Sequence, residues 1–225
     1  MPDSLRLAEA RHYDRACEER LAIPSIVLMT HAAVECAAIL RGECGAGPFV
    51  ALCGRGNNGG DGYAIVRTLA SHGLSAAAIE LATPREGSDA RVMYECARRM
   101  GLVRPGPASL RESFPLPSAV VLIDAIFGTG IARAPRGGEL EAIEWINEMR
   151  RSGSPVYAID VPSGLDAERG VPCGAASTVV RASRTLTMVA PKHGFLCDAA
   201  SAYVGRVSVI SIGGPSDPRS PVLME

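Results

Sequence analysis

A strand-like run that breaks into a dense glycine loop limits this chain more than any other feature. Phe49-Val-Ala-Leu-Cys53 is short and wholly apolar, the pattern of a strand buried on both faces. Gly54-Arg-Gly-Asn-Asn-Gly-Gly-Asp-Gly62 follows directly, and residues 63–69 continue as a helix that ends near Gly73. So many glycines are costly unless the backbone must approach something closely. Strand, glycine loop and helix in that order open a βαβ unit whose helix amino-terminus holds anions. The expectation is a nucleotide-binding α/β fold.

The rest of the chain repeats the alternation. Strands are expected over 75–81, 119–124, 155–160, 184–190 and 206–212, with helices over 86–100 and 138–150. This predicts one domain over residues 1–225: a three-layer α/β/α, Rossmann-like fold with a mostly parallel central sheet. Two helices within 1–45 pack on it, the first capped by Ser4 and the second over 25–40. The tail over 213–225, with Pro215, Pro218 and Pro221, is expected to be loosely held.

Composition removes several function classes. With 23 basic and 24 acidic residues and no long run of either sign, the chain lacks the electrostatic footprint of a nucleic-acid groove. Seven cysteines form no CxxC pair and show no zinc spacing with the four histidines, which suits reduced thiols in the cytoplasm. The apolar stretch 21–29 is short and contains Pro24, so it reads neither as a signal peptide nor as a membrane span.

Ligands of open α/β sheets bind beyond the carboxyl ends of strands. Three ends carry polar loops: 54–62, then Asp124-Ala-Ile-Phe-Gly-Thr-Gly130, then Asp160-Val-Pro-Ser-Gly-Leu-Asp166. Gly54, Gly56 and Gly59 satisfy the dinucleotide pattern GxGxxG, and Glu80 ends the next strand where a ribose-binding acid belongs, so an NAD-dependent dehydrogenase is one reading. Against it, the loop runs on through Gly60, Asp61 and Gly62, so its helix starts late, and it carries Asn57, Asn58 and Asp61 where a dinucleotide loop is bare. Acids beside a pyrophosphate call for a cation, with oxygens from Asn58, Asp124 and Ser163. One carboxylate suits a monovalent ion better than a divalent one. Each loop also has a purely structural reading, as a turn or a set of loop hydrogen bonds. Asp160 is a candidate acid/base, ribose anchor or loop brace, and Lys192 is either a functional cation or a solvated surface lysine.

Taken together, Cys53–Gly62, the 124–131 and 160–166 segments and Thr185-Leu-Thr-Met-Val-Ala-Pro-Lys192 resemble the NAD(P)H-hydrate epimerase family, the YjeF amino-terminal domain family. The resemblance runs from about residue 5 to 213. It implies an isomerase of nicotinamide nucleotide repair, usually homodimeric, that interconverts the R and S forms of NADHX and NADPHX. It implies one potassium ion (K+) per subunit on Asn58, Asp124 and Ser163. Substrate contacts are implied for Asn57, Asn58, Gly59, Gly60, Asp61, Gly128, Thr129, Gly130, Ile131, Ala132, Arg133, Ala134 and Asp160. Asp160 and Lys192 are the catalytic candidates. Because the match occupies nearly the whole chain, the expected functional partner is a separate NAD(P)HX dehydratase. Relatives commonly read Leu-Met-Glu and then Asn-Ala-Gly where this chain has Leu28-Met-Thr-His-Ala-Ala33. Thr30 for an acid and Ala33 for a glycine leave open a non-catalytic binding module of the same fold.

Overall fold

The computed structural model describes residues 4–106, 110, 120–131 and 133–224. Its centre is a seven-stranded sheet in the order β3-β2-β1-β4-β5-β6-β7. The strands are β1 Phe49–Cys53, β2 Ala76–Glu80, β3 Val103–Pro105, β4 Val121–Ala125, β5 Val156–Ile159, β6 Arg184–Met188 and β7 Arg206–Ile210. Every pairing is parallel, so the sheet is more uniform than the mostly parallel one expected. Register places Leu52 beside Asp124 and Asp124 beside Ala158, which aligns the carboxyl ends of β1, β4 and β5 along one edge.

All residues of β1 and β4 are buried because both faces of the sheet are covered. Phe49, Ala51 and Cys53 face α2 (Ser25–Cys44), α3 (Asn57–Ser71) and α4 (Asp89–Arg99). Val50 and Leu52 face α5 (Gly138–Arg151), which turns Ile143, Trp145, Ile146 and Met149 inward. α2 is apolar enough for its length to cross a membrane. In this fold Leu28, Met29, Ala32, Ala33, Cys36, Ala37 and Leu40 are buried against neighbouring elements.

Several expectations are corrected. Ser4 does not cap the first helix, α1 (Leu7–Leu21), whose N-cap is Arg6. Leu5 instead forms a parallel bridge with Lys192. α3 begins at Asn57, not near residue 63, so the glycine loop is mostly helix. β3 is an addition: a three-residue, half-exposed edge strand ending in proline has too little apolar pattern to be read. The tail is docked rather than loose. α6 (Ser201–Val204) precedes β7, and after it α7 (Pro221–Met224) buries Leu223 against α1, while Tyr13 donates its hydroxyl to Pro215 O at 2.9 Å.

Candidate functional site

Strand order reverses between β1 and β4: the chain leaves β1 toward β2 on one side, and β4 lies on the other. The crevice at such a switch point is where α/β sheets bind ligands. Here it is a cavity of about 710 Å³, sized for a small molecule. Gly54 N donates to Ala125 O at 3.0 Å, carrying the pairing past the strand ends. A Cβ on Gly54 would overlap the Ile126 carbonyl, and one on Gly59 would overlap the Gly54 carbonyl. Only glycine lets the two loops and the start of α3 come this close. Gly56 caps α3 without a side-chain bond, which leaves first-turn amides at the cavity for an anion.

Asn57, Asn58, Asp61, Gly128, Thr129, Gly130, Ile131, Asp160 and Lys192 all line the cavity. Gly59 and Gly60 do not, against expectation. Gly59 packs on Gly54, while Gly60 packs on Ala90 and Met29 and gives its amide to Gly56 O. Arg133 does not itself line the cavity but is held at its rim, paired with Glu139 at 2.9 Å and stacked 5.8 Å from the Phe127 ring, two residues that do line it, and Ala134 sits against Gly174. Ala132 lies outside the described residues. Thr30 donates to Ile26 O at 2.8 Å, and Ala33 is buried in the core, so neither departure from the family pattern reaches the cavity.

Below the cavity floor, Asp124 is fully buried. It accepts from Ser163 N at 2.8 Å, Ser163 Oγ at 2.5 Å and Ile126 N at 3.3 Å. Burial pushes its pKa up to about 6 against the pull of these donors. Phe127 N donates to Ser163 Oγ at 2.9 Å, tying the β4 and β5 loops together. Asn58 is 8% exposed, yet among the described residues neither its Oδ1 nor its Nδ2 has a partner. An unpartnered amide oxygen lining the cavity, and a buried carboxylate on the strand paired with β1, are oxygen donors of the kind that could hold a monovalent cation. Among the described residues, no three His, Cys, Asp or Glu side chains gather as a divalent or transition metal would need.

Asp160 and Lys192 form the site's ion pair, Nζ to Oδ1 at 2.7 Å. Lys192 is 2% exposed, not a surface lysine. Its Nζ also donates to Met188 O at 3.0 Å, Thr187 Oγ1 at 3.1 Å and Ala190 O at 3.5 Å, so its three protons are shared among four acceptors. Asp160 Oδ2 stays beside the turn: a Cβ on Gly128 would lie 3.4 Å from it and 3.5 Å from Asn58. Asp160 has φ +65°, and Val161 N donates to Ile159 O at 2.8 Å. Val189 has φ +67°, and Ala190 N donates to Met188 O at 2.7 Å. Both are three-residue γ-turns of the strained hand, at adjacent strand ends. Such strain persists where surroundings over-determine it, and it clusters at functional sites.

Two more acids belong here. Asp61 is pushed well above the usual carboxylate range, first by burial and then by Asp160 and Asp14. Asp14, on α1, is pushed up to about 6 by burial and by Asp160, with Lys192 opposing. Sequence reasoning missed Asp14 because it sits in no motif. The available signal was a polar stripe, Asp14 and Glu18, on the face of α1 flanking Tyr13 and Cys17. Glu80, the dehydrogenase candidate, does not line the cavity. Its two oxygens accept from Thr83 Oγ1 at 2.5 Å and Tyr94 OH at 3.0 Å.

Residues 25–194 match the family described as YjeF-related protein N-terminus. The chain is 33% identical over 206 residues to an NAD(P)H-hydrate epimerase of Rhodopirellula baltica, covering 91% of this chain and 82% of that one. It is 31% identical to the NAD(P)H-hydrate epimerase of Lentilactobacillus buchneri, with 95% of each chain covered. It is 34% identical to the bifunctional NAD(P)H-hydrate repair enzyme Nnr of Moorella thermoacetica and spans 40% of its length. The crystal structure of yeast ynu0 superposes with a TM-score of 0.75 over 92% of this chain and 87% of that one, at 18% identity, a likeness of fold.

Proposed function

Because the chain belongs to the YjeF-related protein N-terminus family, we propose that it is an NAD(P)H-hydrate epimerase, an isomerase that interconverts the R and S forms of NADHX and NADPHX. Two relatives of that name align over at least nine-tenths of this chain and four-fifths of their own. The observation that carries the reading is Asp160, held by buried Lys192 and facing Gly128 and Asn58 in the switch-point cavity. A carboxylate with one oxygen pinned and the other beside the cavity suits proton transfer at the hydrated ring carbon. First-turn amides of α3 suit the pyrophosphate.

Asn58, Asp124 and Ser163 would hold one potassium ion per subunit, supported by the orphaned Asn58 amide and the buried Asp124 carboxylate. Bound there, the ion supplies positive charge next to an anionic nucleotide in a cavity rich in carboxylates. Lys192 acts by holding Asp160, its Nζ fixed between that carboxylate, Thr187 and the Met188 carbonyl. A homodimer and a dehydratase that consumes one epimer accompany this reading, the latter supported by bifunctional relatives in the same repair. Seven unpaired cysteines suit a reducing compartment such as the cytoplasm. A non-catalytic binder is not favoured, because Thr30 and Ala33 lie off the cavity.

The test is to supply one purified NADHX epimer and follow the other by chromatography, with potassium and with choline in its place. The expected result is acceleration over the spontaneous rate, larger with potassium. No acceleration in either salt overturns the epimerase reading. Equal acceleration in both overturns only the cation site.

A further inference from the structure

Asp14 lies outside residues 25–194 and outside every motif that carries the family resemblance. The N-terminal arm nevertheless runs directly beside Lys192. Leu5 N donates to Pro191 O at 2.7 Å, and His193 N donates to Leu5 O at 2.8 Å. Leu7 N, opening α1, donates to Glu168 at 3.0 Å. Fixed at that end, α1 buries Tyr13, Ala16 and Cys17 and turns Asp14 into the cavity shared with Asp61, Asp160 and Lys192. Among the described residues no hydrogen bond holds the Asp14 carboxyl, which is open to the cavity solvent and feels the charges of Asp160 and Lys192.

Inverting a carbon that carries a hydroxyl and a ring nitrogen needs one group to give a proton and another to take one. Asp160, bound to the Lys192 ammonium, is disposed to be the carboxylate. We propose that Asp14 is the second proton-transfer group of this site, exchanging one proton with Asp160 through the substrate; this rests on the epimerase reading above. The Asp14 carboxyl proton passes to the hydroxyl oxygen. The C–O bond breaks, its electron pair leaving on water, and the nitrogen lone pair forms C=N+. Water then adds to the opposite face, the π pair returns to nitrogen, and the added water gives its extra proton to the Asp160 carboxylate. One water leaves and one enters. The pair holds one proton throughout, on Asp14 for one epimer and on Asp160 for the other, so a single protonation level serves both directions.

Asp61 is the less suitable partner. It is more enclosed than Asp14, whose side chain meets cavity solvent and can reload its proton. The charged and titratable groups around Asp14 are Asp61, Asp160 and Lys192 across the cavity, and Tyr13, Arg15, Cys17 and Glu18 on its own helix, of which Arg15 and Glu18 also line the cavity.

The experiment measures kcat and KM from each epimer across pH 5–8 for the wild-type chain, D14N and D14E, with thermal melts alongside. A bell-shaped wild-type profile of the same form for both epimers is expected. D14N should lower kcat by about 100-fold, the lower end for loss of a general acid or base, keep KM within about threefold as for a group used only in the transition state, and lose one limb of the bell. D14E should recover part of the rate. D14S replaces D14N if the latter does not fold. A D14N enzyme with normal kcat, or with raised KM alone, overturns the proposal while the epimerase reading stands. An inactive wild-type chain overturns both.

Discussion

Lys192→Met isolates what a buried ammonium contributes to this site. Methionine matches the length of the stem and removes the charge. The structure then leaves Asp160 Oδ1, 2.7 Å from the lost Nζ, without its cation, on a side chain only 15% exposed. Met188 O and Thr187 Oγ1 lose donors at 3.0 and 3.1 Å. Removing one partner of a buried pair costs about 3–5 kcal/mol. At about 2–4 °C per kcal/mol for a chain of this size, the melting temperature falls by roughly 6–20 °C. Equilibrium urea unfolding followed by circular dichroism measures the loss directly. The double variant Lys192→Met with Asp160→Asn removes both charges, and Asn tolerates the left-handed backbone at that position. It is expected to be more stable than Lys192→Met alone, by at least about 1.5 kcal/mol, within the range of coupling between contacting residues. A loss under about 1 kcal/mol in the single variant, no more than an exposed ion pair is worth, refutes the argument. So does a double variant that is no better than the single one.

Two other substitutions probe the frame. Gly59→Ala places a methyl on the Gly54 carbonyl, so α3 must retreat by on the order of 1 Å and carry Asn58 with it; a shift of that size costs about 100-fold in rate. Steady-state kinetics at full potassium would show it, and an unchanged kcat would mean that the contact is easily relaxed. Glu80→Gln should leave epimerisation within about twofold, as expected of a group that makes no transition-state contact, because both oxygens are spent on Thr83 and Tyr94. Lost nucleotide affinity in that variant would instead favour a ribose anchor.

The sheet was legible because β1, β4 and β5 are uninterrupted apolar runs that end in polar loops, and a strand buried on both faces has no other way to look. The order of those loops also made the crevice legible. The helix start was not. Gly59, Gly60 and Gly62 each carry a propensity penalty of up to about 1 kcal/mol in a helix, so propensity placed the boundary near residue 63, whereas close packing on Gly54, Ala90 and Cys53 places it at Asn57. That shift matters to the site, because it puts Asn57 and Asn58 in the first helical turn. Asp14 was illegible for a different reason. A single acid on the polar face of an amphipathic helix looks solvated, and only the bridge from Leu5 to Lys192 says which way the face turns. Lys192 looked solvated too, since lysine is almost never buried unless paired and its partner lies thirty-two positions away.

No sequence signal marked the γ-turns at Asp160 and Val189, and valine is among the residues least suited to positive φ. Each such residue costs about 1–3 kcal/mol, and burying an ammonium adds to that, so stability alone does not account for the arrangement. Its geometry does. Lys192 Nζ reaches the carbonyl of Met188, which opens the Val189 turn, and the carboxylate of Asp160, which is the centre of the other turn. One cation therefore joins both strained turns across neighbouring strands, and it does so on the carboxylate oxygen that is not beside Gly128. What the strain secures is the direction of Asp160 Oδ2. A general acid or base loses its function with small errors of aim, so a buried lysine that only positions its partner is as necessary to the chemistry as the aspartate it holds.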